Sequence, residues 1–297
     1  MADFKKAFPE NVEGEFFVDS TCIDCDTCRQ LAPQTFADSG NYAFVYAQPQ
    51  TGDQTRKALR ALLCCPTGSI GTVHKMNTKE VMNDFPLHVE NGVYYSGFNS
   101  PKSFGGNSYF VIHPDGNWLI DSPKYLPHLV EKFRELGGVK YIFLTHRDDV
   151  ADASRYAETF SSDRIIHRLE LSAQPGCEIV IDSEEPVQIF PDFLIIPTPG
   201  HTRGHCVLLY KSRVLFSGDH LWWSRDREHL NASEEVCWYS WPLQIESMAK
   251  LQGYSFEWVL PGHGQRVKLP EVVMQQQLED LVNRMRRMEQ NVLMMDK

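Results

Sequence analysis

The 297-residue chain has no run of about 18 apolar residues, which excludes a helix long enough to cross a membrane. It has no basic stripe either. With 29 Lys and Arg against 39 Asp and Glu, a net charge of -10 excludes the electrostatic footprint of a nucleic-acid binder. Met1 to Lys6 lacks an apolar signal core, so the expected location is the cytoplasm, or an organelle stroma or matrix after removal of a transit peptide. Cysteine is scarce beyond position 65: of eight, only Cys177, Cys206 and Cys237 follow, at no pairing interval. These three are expected as buried thiols, and a disulfide framework is not expected. What remains is an acidic globular composition, 42% hydrophobic and 23% charged, long enough for about two domains.

The first motif lies near the N-terminus. Cys22-Ile23-Asp24-Cys25-Asp26-Thr27-Cys28 places three thiolates at C-x2-C-x2-C, and Cys65-Pro66 supplies a distant fourth. Tight turns of this kind bring three sulfurs to one cubane, whereas a structural zinc site usually pairs C-x2-C with a second C-x2-C, which is missing here. Cys64 is a neighbouring decoy, and Pro66 favours Cys65. The segment from Cys22 to Ile70 resembles single-cluster ferredoxins that have lost the second ligand triplet. That resemblance implies one [4Fe-4S] cluster on Cys22, Cys25, Cys28 and Cys65, in a ferredoxin-like domain spanning 1–78. Asp24, Asp26, Asp38 and Asp53 make its surroundings acidic, from which a low potential is expected. Residues 71–83 are polar and aperiodic and read as a connector.

The second pattern occurs four times. Apolar runs ending at Thr145, Ile196, Gly218 and Gly262 each lead to a His or Asp past the run, the second through Pro199-Gly200: His146, His201, Asp219 and His263. Strands ending so would gather imidazoles and carboxylates at one sheet edge, a donor set that suits a divalent transition metal. Helical spacing is read in 123–136, 152–160 and 271–295, and a hairpin in 108–121. The last helix also offers a homodimer contact, its Met residues suiting an adaptable surface. Asp121, at the end of a strand, is expected to orient a ligand imidazole.

Residues 86–270 resemble the metallo-β-lactamase superfamily. Gly200-His201-Thr202-Arg203-Gly204-His205 matches its GHTxGH, Gly218-Asp219 its GD and Gly262-His263-Gly264 its GHG, while 145–153 stands where it carries HxHxDH. The resemblance implies an α+β chain: the ferredoxin-like domain, then an αββα sandwich over 84–297 with metals at one edge. The first motif departs from the pattern. Asp148 occupies the second His position, and with a two-residue insertion Asp152 becomes the motif's Asp and Ala153 replaces the last His. The implied ligands are His146, Asp148, Asp152, His201, Asp219 and His263. One or two ions are expected, zinc or iron, with manganese also accommodated by the carboxylates. His205 and His220 are reserve imidazoles. The superfamily's flavodiiron branch also carries a carboxylate at the second position, although no flavin domain follows here.

Three functions remain open on this reading. The first is a hydrolase using metal-activated water on a small-molecule substrate, with Asp152 catalytic in holding the water's proton. A second is an oxidoreductase passing electrons from the cluster, supplied by or delivered to a partner protein, to an iron site. Thirdly, the missing imidazoles would suit a non-catalytic redox sensor or assembly protein. The aromatic stretches 221–227 and 237–241 are expected either to wall a substrate pocket or to receive the ferredoxin domain.

Overall fold

The computed structural model describes residues 2–295, with side chains to residue 290, and holds two compact units. One is Met1–Ile142 with Ala151–Ser162, and the other is Phe143–Val150 with Asp163–Lys297. These units are defined by packing, whereas the 1–78 and 84–297 division is defined by motifs.

In the first unit, β1 (Phe16–Val18) is followed by α1 (Thr27–Leu31), β2 (Phe36–Asp38), β3 (Ala43–Val45), α2 (Gly52–Cys64) and β4 (Ile70–Thr72). β1 pairs antiparallel with β4, and β2 with β3. The Thr51 hydroxyl accepts from Gln54 N and caps α2, with Asp53 placed favourably in its first turn. Phe16, Val18, Phe36, Val45, Ala58, Leu59 and Ile70 form one core. The expected connector contributes to this core. Its start belongs to β4, its end forms the short helix α3 (Lys79–Met82), and Val81 is buried with the others. Elements of three or four residues are too short to carry a period.

β5 (Leu87–Glu90), β6 (Val93–Tyr95), β7 (Tyr109–Val111) and β8 (Trp118–Ile120) then run as an antiparallel meander. α4 (Pro127–Glu135) starts on a proline in its first turn and buries Leu129, Val130 and Phe133. Asp121, buried and in the left-handed region, closes β8. β9 (Tyr141–Phe143) carries the chain from the first unit towards the metal loop, and α5 (Ala153–Phe160) returns to the first unit.

In the second unit β10 (Asp163–His167) pairs parallel with β11 (Ile179–Ile181). A six-stranded sheet follows, built from β12 (Val187–Phe190), β13 (Phe193–Pro197), β14 (Cys206–Tyr210), β15 (Val214–Gly218) and two later strands, Trp258–Pro261 and Val267–Lys268. The small pair β16 (Trp222–Ser224) and β17 (His229–Asn231) comes next, then α6 (Trp241–Leu251), β18 (Trp258–Pro261), β19 (Val267–Lys268) and α7 (Glu271–Met295). Every residue of β14 and β15 is buried, as expected of central strands covered on both faces. Ile196, Val207 and Leu215 from the sheet meet Ile245 and Met248 of α6 and Met274, Leu278, Leu281, Val282 and Met285 of α7. Those α7 positions are among the ones its spacing assigns to an apolar face, whereas Met288, at the same spacing, is exposed. Val292, assigned to the same face, lies outside the residues whose side chains are described. No helix among the described residues is long and apolar enough to cross a membrane.

Candidate metal centre and cluster pocket

Strand register assembles the metal centre. β15 and β18 are parallel neighbours with Gly218 opposite Pro261, so the residues just beyond them, Asp219 and His263, emerge side by side. His263 Nδ1 lies 2.8 and 2.9 Å from the two oxygens of Asp219. β13 and β14 are joined by the turn 198–205, closed by Thr198 N donating to His205 O, and this turn presents His201. Cys206 N donates to Thr145 O at 2.9 Å, which brings His146 beside that turn. Glycine is required where the segments cross. A Cβ on Gly262 would lie 2.6 Å from both Asp149 Oδ2 and Asp219 Oδ1, and one on Gly218, at φ +49°, would lie 2.6 Å from His205 Nε2.

His146 Nε2 lies 3.8 Å from Asp148 Oδ2 and 3.7 Å from Asp219 Oδ2, and His201 Nε2 lies 3.7 Å from each of the same oxygens. These spacings are too long for hydrogen bonds. They are close to the roughly 3–3.5 Å between donors bound at about 2.0–2.2 Å to one ion. His146 Nε2 and both ring nitrogens of His201 are buried and make no hydrogen bond. A buried polar atom left in that state is costly, and an ion between them would satisfy the nitrogens and carboxylates together. The residues therefore fit a divalent metal. Two groups of donors close enough to share an ion emerge: His146, Asp148 and His201, and His146, Asp149 and Asp219.

Electrostatics favour the required protonation states. Burial lowers the pKa of His146 to about 4, leaving a neutral imidazole with a lone pair to offer. Burial acts to raise the pKa of Asp219, but His263, His146 and His201 outweigh it and hold the carboxyl well below its usual range. Asp148 is lowered chiefly by its interaction with His201. Its side chain is 47% exposed, so the donor group is open to solvent at this residue.

Asp152 joins neither donor group. It belongs to the first unit, where its carboxylate takes Lys102 Nζ at 2.7 Å and Tyr125 N at 2.9 Å, just ahead of α5. The 3-10 turn Arg147–Asp149 is the reason: it curls the chain immediately after His146, so Asp149 and not Asp152 lies beside Asp219. Of the reserve imidazoles, His205 is occupied, with Nδ1 2.9 Å from Thr198 Oγ1 and Nε2 accepting from Asp219 N at 3.3 Å. His220 is buried with both nitrogens unbonded and its pKa lowered to about 3 by burial, yet it joins neither donor group.

Glu170 has no motif around it. Fully buried, it accepts from Arg147 Nε and from Gly204 N, each at 2.5 Å. One carboxylate thus ties the segment between His146 and Asp148 to the segment between His201 and His205. Of the aromatic stretches, Trp241 is buried, whereas Trp238 is 67% exposed with its ring centroid 6.2 Å from that of His201. Trp238 N donates to His201 O, which fixes this indole at the edge of the centre.

The cluster pocket lies within the first unit. Cys22, Cys25, Cys28 and Cys65 line one cavity together with Val18, Ala43 and Ile70. Cys64, fully buried, points elsewhere and accepts from Phe98 N at 3.3 Å. Burial pushes the Cys25 thiol up to about 11 and Cys28 well above its ordinary value. Thiols buried together resist ionisation unless metal charge compensates them, so this pocket fits a cluster and not free thiolates. Ser69 N is 3.2 Å from Cys65 Sγ and Ala43 N 3.5 Å from Cys22 Sγ, both donors towards ligand sulfurs. The acidic surroundings are less bare than expected. Arg29 lies 2.6 Å from Asp24, 2.6 Å from Asp26 and 3.3 Å from Asp38, while Asp53 pairs with Lys57, so the expectation of a low potential loses its ground.

Comparison with known proteins agrees with both halves. Residues 18–72 match the family described as the 4Fe-4S single cluster domain of Ferredoxin I. No curated protein matches the chain. Among solved structures, DIM-1 metallo-β-lactamase is 19% identical, with 66% of this chain and 95% of that one covered at a TM-score of 0.51. VMB-1 is 17% identical over 66% and 94% (TM-score 0.49), and a metallo-β-lactamase family protein of Thermus thermophilus is 16% identical over 66% and 80% (TM-score 0.47). The DIM-1 likeness is one of fold. The chain is an α+β protein, a single-cluster ferredoxin-like domain followed by a metallo-β-lactamase fold.

Proposed function

We propose that this chain is an iron-dependent oxidoreductase. Its 1–78 domain would hold one [4Fe-4S] cluster through Cys22, Cys25, Cys28 and Cys65. Its 84–297 domain would hold one or two divalent ions through His146, Asp148, Asp149, His201, Asp219 and His263. The observation that carries this reading is the grouping of His146, Asp148 and His201 around one point. Two imidazoles and one carboxylate with open positions are the donor set of non-haem iron, and oxygen donors replacing nitrogen shift preference away from zinc. Bound there, iron would supply one-electron chemistry on a small molecule such as oxygen or nitric oxide, and the cluster would accept electrons from a carrier protein. The chain's own residues prepare that site. Thr145 Oγ1, 2.9 Å from His146 Nδ1, directs Nε2 inward; the partly exposed Asp148 side chain leaves one side open to water; and Asp219 offsets charge between three imidazoles.

Metal-dependent hydrolysis is the second reading. It is favoured by Asp149, whose buried carboxylate beside Asp219 is suited to hold a water's proton.

Elemental analysis separates the two. The full chain carrying Cys25→Ala and Cys28→Ala, purified without oxygen, leaves only second-unit metal to count. Iron at one or two per chain, with oxygen consumption by the unaltered protein fed by a reduced ferredoxin, above the donor's own reaction with oxygen and lost in Cys25→Ala, supports the oxidoreductase. Stoichiometric zinc, with thioester or phosphodiester turnover indifferent to the cluster, overturns it in favour of hydrolysis.

A further inference from the structure

The cluster motif contains the same tripeptide pattern twice, Cys25-Asp26-Thr27 and Cys65-Pro66-Thr67, and the two threonines sit in opposite hydrogen-bond environments. Thr27 is 1% exposed, with its hydroxyl 3.4 Å from Cys25 Sγ and 3.1 Å from Asn99 Nδ2. An amide nitrogen has only protons to offer, so the Thr27 oxygen is the acceptor there. As a free thiol Cys25 donates to the Thr27 oxygen, but as a cluster-bound thiolate its sulfur has no proton and can only accept, which leaves the Thr27 proton for it.

Thr67 begins a chain. Its hydroxyl lies 2.7 Å from Ser69 Oγ, Ser69 Oγ lies 2.8 Å from Thr21 Oγ1, and Thr21 Oγ1 donates to Asp19 Oδ1 at 2.5 Å. Asp19 is buried and also accepts the N–H groups of Thr21 and Asp3, which keeps its carboxylate an acceptor. Three hydroxyls hold three protons for three contacts. Every contact receives one only if all three point towards Asp19; turning any hydroxyl the other way leaves two oxygens facing each other with no proton between them. Thr67 therefore spends its proton on Ser69, and its distance to Cys65 Sγ, 3.7 Å, is the longest contact in the series.

We propose that Thr27 and Thr67 tune the cluster in opposite senses: Thr27 donates to Cys25, whereas the Asp19-anchored hydroxyl chain keeps the Thr67 proton away from Cys65. A donor on a ligand sulfur stabilises the extra negative charge of the reduced cluster and raises its potential, and withholding one leaves it lower. Asn99 lies outside the matched segment 18–72, and its Nδ2, also 2.6 Å from Gly105 O and 3.2 Å from Asn107 Oδ1, faces the Thr27 hydroxyl without being able to accept its proton.

The inference rests on the cluster reading, and its test separates failure of the two. Midpoint potentials are measured on the full-length protein by titration with dithionite and mediators, following the electron paramagnetic resonance of the reduced cluster. Thr27→Val should lower the potential, and Thr27→Ser, which keeps the hydroxyl, should restore it. Thr67→Val should leave it unchanged. Thr21→Val should raise it, because the Ser69 proton then turns to Thr67 and the Thr67 proton to Cys65; adding Thr67→Val should cancel that rise. Equal potentials throughout, or a fall in Thr67→Val, overturn the proposal alone. Absence of a four-iron signal in the unaltered protein overturns the cluster reading and the proposal with it.

Discussion

The cluster pocket and the candidate metal centre both bring together donors suited to positive charge, at different distances along the chain. Three of the four cysteines lie within Cys22–Cys28, so a few tight turns nearly complete that site. The candidate metal centre draws on positions between 146 and 263 that follow four different strands, and forms only when those strands are in register. Charge is handled differently as well. Around the cluster a single guanidinium, Arg29, collects three carboxylates. At the metal centre Asp219 is balanced by imidazoles, and Asp148 is left half in solvent. A local site can be read from spacing, whereas a dispersed one must be read from register.

The sharpest way to break this contrast is Asp219→Ala. Asp219 faces three imidazoles, and its loss should reduce metal binding in the second unit by more than the roughly 10–100-fold expected of an outer partner. Cluster absorbance should not change; a simultaneous loss would mean that the two sites are not independent. Next is Arg29→Gln. Leaving Asp24, Asp26 and Asp38 without their cation should destabilise the first unit by about 2 kcal/mol, less than a fully buried pair would because the acids are partly solvated. Denaturant unfolding followed at the cluster chromophore measures it, and an unchanged midpoint would return the low-potential expectation to the bare acids.

Glu170→Gln tests whether the dispersed centre depends on its tie. Metal affinity, measured by competition with a chelator, should fall roughly tenfold while the cluster potential stays constant. The smallest effect concerns Glu178. Arg164 holds its pKa down to about 2, below an unfolded value of about 4.3. The stability this pair contributes is present above about 4.3 and is lost as pH falls towards 2. Glu178 is largely exposed, so the loss should be below about 1 kcal/mol. Glu178→Gln should flatten the stability profile across that window, and an unaltered slope would remove the pair from the account.

Much of the site could be read before any fold was known. GHTxGH, GD and GHG place His201, Asp219 and His263 beyond strands of one sheet, and the bond from Cys206 N to Thr145 O brings His146 beside them. The HxHxDH region was harder. A motif with two of its residues replaced can be aligned with or without an insertion, and only the turn Arg147–Asp149 places Asp149 beside Asp219 and leaves Asp152 to Lys102 and Tyr125. Glu170 offered no sign, because an isolated glutamate between two apolar stretches looks like any surface carboxylate until its burial is seen.

Residue order by itself determined the chemistry available to this protein: four thiolates in ferredoxin spacing, and imidazoles and carboxylates carried at the ends of apolar strands. Tertiary structure decided which of them meet, and in what state. Burial leaves His146 neutral, register sets Asp219 among three imidazoles, and Asp19 fixes the direction of three hydroxyl protons. Spacing along a chain specifies which groups can reach one another, but desolvation and proton direction depend on everything packed around them, and those neighbours come from distant parts of the sequence.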